Sequence, residues 1–211
     1  MKERIQDNRK REFIPPVSIV LAEGNVERAE LLKCRLADQI GLNERNTVTV
    51  RGRCRIVLDF GKELHGGIRL VAGFGKSGTP VRLRIGESVN EALADIGEKG
   101  CTNDHSLRDL TLPLPALSDM EFFCSGFRFA CIDFLDDGAE FSIKAINAVY
   151  VYQPRERLGR FRCSDPLVER IYNVAADTVM LCSQNYIWDG IKRDRLVWMG
   201  DLYPEITSFL S

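Results

Sequence analysis

The chain has 211 residues, 45% of them apolar, with 29 Lys and Arg set against 30 Asp and Glu for a formal charge of -1. That length and apolar share support one large or two small domains with a real core, while the balanced charge lacks the broad positive field a phosphate backbone needs and so argues against nucleic acid as a partner. The opening MKERIQDNRKREF holds no apolar signal-peptide run and no segment approaches the roughly 18 apolar residues of a membrane span, so the expectation is a cytoplasmic protein with no membrane partner.

The first patterned segment, Asn25 to Ile40, has two readings. Val26, Ala29, Leu32, Leu36 and Ile40 fall at helical spacing, and an amphipathic strand pair fits them as well. From Thr47 to about Tyr152 the signal is short alternating runs: RCRIVLDF, GIRLVAGF, PVRLRIGES, FRFACIDFL and FSIKAINAVYVY. Turn residues break them at Gly61, Gly66-Gly67, Gly75 to Pro80, Pro113 and Pro115, and Asp136 to Gly138, the punctuation of a β-sandwich or barrel. After QPRERLG the period changes. Ser164-Asp165-Pro166 is a helix start, and Leu167, Ile171, Val174, Thr178 and Leu181 then recur every three or four residues. Gly190 should turn the chain before a second helical stretch that runs into EITSFLS. The expected organisation is a mainly β domain over residues 1–153, then a linker and helices over 154–211 that are too few to build a large core of their own.

Several motifs fail on context. Seven cysteines are scattered without a CxxC pair, which fits buried thiols in a reducing compartment better than a disulfide or zinc framework. Gly73, Gly75 and Gly78 spell GxGxxG, but TPVRLRI follows with a proline and strict alternation, so a hairpin is expected there and no dinucleotide site. His65 and His105 are the only histidines, which makes a catalytic zinc improbable, and no metal site is predicted. Asn103, Asp104, His105 and Asp109 could hold Ca²⁺ or orient a sugar, and a polar loop capping itself is the preferred reading. No GxSxG elbow supports acyl transfer.

The informative stretch is DGIKRDRLVWMGD, residues 189 to 201. If 194 to 201 are helical, Asp194, Trp198 and Asp201 stand at i, i+4 and i+7, with two carboxylates and an indole on one face. Carboxylates accept paired hydrogen bonds from sugar hydroxyls, and an indole offers a flat apolar surface to a pyranose. Arg193 and Arg195 would pair with the acids and keep them ionised. A surface helix laced with Asp/Arg pairs over a buried Trp explains the same spacing equally well.

This stretch resembles the signature D-x-P-x-R-E-R-x-G-W-x-G-D of the α-L-rhamnosidases of glycoside hydrolase family 78, keeping Asp189, Arg193, Arg195, Trp198, Gly200 and Asp201. LDFGKELHGGIRL (58 to 70), RLRIGESVNEAL (82 to 93), TNDHSLRDLTL (102 to 112), SGFRFACIDFL (125 to 135) and GRFRCSDPLVERIYN (159 to 173) also look like that family's N-terminal half, so the likeness runs from about residue 13 onward. The resemblance implies a β-sandwich accessory domain followed by the first helices of an (α/α)6 barrel, and cofactor-free hydrolysis of terminal α-L-rhamnose with inversion. One carboxylic acid would protonate the leaving oxygen while a second carboxylate activates water across the ring. By position, Asp194 is the implied catalytic acid, and Asp189, Arg193, Trp198 and Asp201 the implied substrate-binding residues. Asp194 departs from the family's Glu by one methylene, and Gly190 and Ile191 replace its Cys-Pro. The family's base lies later in the barrel, so the chain as written reads as a fragment, inactive alone and prone to self-association through exposed helices. The alternative is a non-catalytic carbohydrate-binding module.

Overall fold

In the computed structural model the described residues are 6–34, 46–99, 101 and 107–210. They form β1 (Lys10–Ile14), β2 (Ser18–Glu27), β3 (Val48–Gly75), β4 (Thr79–Gly86), α1 (Val89–Leu93), β5 (Asp109–Leu114), β6 (Ser118–Phe134), β7 (Glu140–Tyr152), α2 (Pro166–Cys182) and α3 (Met199–Leu210), with a 3-10 turn at Ala29–Lys33. The strands make one antiparallel sheet in the order β1-β7-β3-β6-β4-β5, and β2 pairs with β3 as well.

The 28-residue β3 organises this sheet. Its first half lies between β2 and the end of β6, and its second half between the start of β6 and β7. The register with β6 shifts between Asp59 and Leu64, where the Asp59 carboxylate accepts the Gly61 N–H at 2.7 Å and Gly61 adopts φ +83°. Glycine takes that backbone conformation without the cost a Cβ would impose, so the ladder bends there. The start of β7 pairs with both ends of β3, Phe141 standing opposite Val50 and Gly75 alike, so the ladder turns back on itself. Ile56 and Leu58 before the bend, Ile68 and Leu70 beyond it, and Leu83 and Ile146 from neighbouring strands join one buried cluster, each such side chain contributing about 1.5–3 kcal/mol relative to exposure.

The alternating runs that predicted strands all lie in β3, β4, β6 and β7. β1, most of β2 and α1 fall outside the runs quoted from the sequence, and β5 extends through Pro113, where a turn was expected. The helical spacing from Asn25 is overridden: Val26 pairs with Val50 in the β2–β3 ladder, and only Ala29–Lys33 coils, after Arg28 turns at φ +60°. The rest of that segment, 35–40, lies outside the described residues. The hairpin expected at Gly73–Gly78 is also corrected. A turn is present, with Gly78 at φ +89°, but β4 pairs with β5 and β6, not with β3, so the turn carries the chain between ladders. α2 starts as the sequence indicated, with Asp165 accepting the Leu167 N–H at 2.8 Å and Pro166 in the first turn.

Part of the buried charge is matched directly by an opposite one. Arg84 donates to Asp133 at 2.6 Å, and Arg55 reaches the other oxygen of the same carboxylate at 2.6 Å. Such a pair persists inside a core because each charge is matched and hydrogen-bonded. Among the described residues no helix is long and apolar enough to cross a membrane, and no group of three or more His, Cys, Asp or Glu could hold a metal ion. All seven cysteines are free thiols.

Candidate functional site

Between α2 and α3 the chain is irregular, and this is where the signature residues lie. Beyond Cys182 a single bridge joins Ser183 to Ile187, and the Trp188 N–H bonds back to the Cys182 carbonyl at 3.0 Å. The next ten residues form a loop closed on itself: the Asp189 N–H donates to the Leu196 carbonyl at 2.9 Å, and the Asp189 carboxylate accepts the Leu196 N–H at 3.0 Å. The helix expected from residue 194 is therefore corrected. Residues 194–198 are not helical, α3 begins only at Met199, and Arg195 sits at φ +54°, which an α-helix does not contain.

The predicted face at i, i+4 and i+7 consequently does not form. Asp194 is half-buried on the loop, paired with the exposed Arg193 at 3.2 Å. Trp198 is 49% exposed just before α3, and its carbonyl accepts the N–H groups of Asp201 and Leu202 that open the helix. Asp201 lies in the first turn of α3, where a carboxylate favours the helix dipole. Glu205 is held above the ordinary carboxylate range, chiefly by burial and then by the charges of Asp201 and Asp189. Arg195 does not pair with the acids; it donates to the Cys124 carbonyl on β6 at 2.6 Å.

A cleft of about 360 Å³ opens between the loop, α2 and the β-rich part, with Glu63, Glu87, Cys182, Asp189, Lys192 and Arg193 on its walls. Lys192 donates to Glu87 at 3.2 Å and to Glu91 more closely. Glu63 projects from the bend of β3, and burial, followed by the charge of Glu87, raises its carboxyl to about 8 against the pull of Lys192. Burial lifts the Cys182 thiol to about 11. Beneath the loop His65 is fully buried and meets Trp188 edge to face. Burial and the Arg195 charge depress its imidazole to about 4, so it is neutral at physiological pH.

No protein-family model matches the sequence, and no curated protein matches it either. Solved structures do share the fold. A rhamnosidase from Klebsiella oxytoca with rhamnose bound aligns at a TM-score of 0.72 and 22% identity, over 95% of this chain and 40% of its own. A GH78 family rhamnosidase of Bacillus sp. GL1 aligns at 0.63 and 20% identity, over 78% of this chain and 17% of its own. The α-L-rhamnosidase from Dictyoglumus thermophilum aligns at 0.54 and 21% identity, over 93% of this chain and 19% of its own. The fold is one that rhamnosidases have. The chain spans less than half the length of each of these proteins.

On this rhamnosidase-like fold, the sequence reading missed Glu63, Glu87, Glu91 and Lys192. One signal was legible. Ser88-x-x-Glu91 has the spacing of a capping box, and the Ser88 hydroxyl accepts the Glu91 N–H at 3.1 Å, while the Glu91 carboxylate accepts the N–H of Glu87, one residue before the cap, at 2.9 Å. The union of these glutamates with Lys192, 101 to 105 residues away, is a property of the tertiary fold alone. Of the polar loop, Asn103 to His105 lie outside the described residues, and Asp109 accepts two bonds from Arg82, the first at 2.9 Å.

Proposed function

We propose that this chain is part of a glycoside hydrolase related to the α-L-rhamnosidases, acting on terminal α-L-rhamnose with inversion of configuration and without a cofactor. What carries the reading is that Asp189 to Arg193, the first part of DGIKRDRLVWMGD, line a cleft within a fold that rhamnosidases share, with Asp194 next in the chain. Asp194 is the general acid, giving its proton to the departing glycosidic oxygen. Asp189, Arg193 and Asp201 hold the sugar hydroxyls, and Trp198, half exposed at the mouth of the loop, offers its ring to the apolar face of the pyranose. The partner is a rhamnose-containing glycan or glycoside. Residues 154–211 are the opening of the helical catalytic part, and the second carboxylate of an inverting pair is not assigned to any residue here.

Calorimetric titration of L-rhamnose into the purified chain tests the reading, with Trp198→Ala and Asp194→Asn as variants. Binding that the Trp198 variant loses and the isosteric Asp194 variant largely keeps supports it. Absence of binding in every version removes the sugar subsite from this segment.

A further inference from the structure

Asp194 sits on a loop, so its position depends on what fixes that loop. Three anchors do so, and all reach the β-rich part. Lys192 is 7% exposed and its ammonium lies against Glu91, itself 2% exposed, and Glu87. Ile191 packs on Gly126 of β6 so closely that a Cβ there would come within 2.7 Å of its Cγ1. Arg195 donates to the Cys124 carbonyl and holds a left-handed backbone conformation that a non-glycine residue adopts only at a cost. These anchors flank Arg193 and Asp194 on both sides. Glu91 is fixed before the loop arrives, since its second oxygen accepts the Glu87 N–H and Ser88 caps α1. Two charges this buried are sustained only by each other and by such bonds.

We infer that Lys192 and Arg195 are positioning residues, which hold the loop carrying Asp189 and Asp194 against α1 and β6, so that the β-rich part is a structural wall of the candidate sugar site. The inference rests on the carbohydrate reading for its purpose, whereas the anchoring itself does not. Small displacements of catalytic groups cost rate and affinity steeply, which is why an acid on a loop requires such supports.

The test is hydrogen exchange at the Asp189 and Leu196 amides, which close the loop, together with rhamnose titration, in Lys192→Met, Lys192→Arg and the double variant Lys192→Met with Glu91→Gln. The double variant removes both buried charges together and carries the test if Lys192→Met alone does not fold. Exchange at the two amides should rise about tenfold or more while β4 and β6 amides stay protected, rhamnose affinity should fall about tenfold, and Lys192→Arg should restore both. Unchanged exchange in a folded variant overturns the inference. So does faster exchange with undiminished sugar binding. If the parent chain binds no rhamnose but exchange still rises, the carbohydrate reading falls and the anchoring stands.

Discussion

His65 and Trp188 meet edge to face, with ring centroids 5.2 Å apart and planes at 73°, joining β3 to the segment just before the candidate loop. The imidazole there is neutral because it is buried beside the Arg195 charge. Burial and the Arg195 charge lower the His65 pKa from 6.5 to about 4, so the unfolded chain takes up a proton before the folded chain does. This stabilisation is complete above the unfolded pKa and is lost as pH falls through the folded one. Chemical denaturation should show stability declining from about pH 6.5 towards pH 4, and His65→Phe should flatten that decline.

Two residues earlier on the same strand, Glu63 acts in the opposite sense. Its folded pKa is raised by burial, and further by Glu87, from 4.5 to about 8. Its contribution is therefore complete below the unfolded pKa and lost as pH rises through the folded one. Glu63→Gln should leave the denaturation midpoint nearly unchanged near pH 5 and raise it relative to the parent by about pH 8. Equal midpoints at both ends would refute the assignment. Between the two unfolded pKa values the His65 and Glu63 slopes offset each other.

Asp133 bridges Arg55 and the buried Arg84. Asp133→Ala leaves a guanidinium in the core without its counter-charge and should cost about 3–5 kcal/mol by urea denaturation, whereas Arg84→Met with Asp133→Leu should recover most of that loss. A single variant within about 1 kcal/mol of the parent would show that water reaches Arg84.

The helices expose much apolar surface: Leu167, Ile171 and Val174 on α2 are each more than half exposed, as are Met199 and Tyr203 at the start of α3. Patches of this kind drive association. Light scattering should show the isolated chain associating with rising concentration, and Ile171→Lys with Tyr203→Lys should suppress this. A monodisperse parent would contradict it.

What the sequence made legible follows from which forces are local. The strands of β3, β4, β6 and β7 were readable because burial leaves apolar residues in short runs, alternating where one face is covered, as at Val48 to Val50, and continuous where both are, as at Leu70 to Ala72. α2 was readable from Asp165 and Pro166, which act within one turn. β1 was not, since KREFI lies mostly exposed at the sheet edge, and β2 was not, since the exposed Val20 between the half-buried Ile19 and Leu21 hides the alternation of burial in an unbroken apolar run. In the candidate site, the segment was found from its residue types, but its conformation was misjudged. The spacing of Asp194, Trp198 and Asp201 suits a helix, yet Arg195 takes a left-handed backbone conformation that a helix does not contain, while Asp189 closes the loop on Leu196 and Arg195 reaches Cys124. The fold, not the local sequence, decides between those two arrangements.

The closing of the sheet has a consequence for how the chain acquires its structure. β1, at residues 10–14, pairs with residues 148–152 of β7, and β3 takes β6 and β7 as neighbours from far downstream. A chain emerging from the ribosome can pair β2 with β3 early but holds β1 unpaired until about 150 residues have been made, and loop-closure entropy must be met before the long-range pairings return anything. Refolding should accordingly be slow, with exposed strand edges as its vulnerable interval.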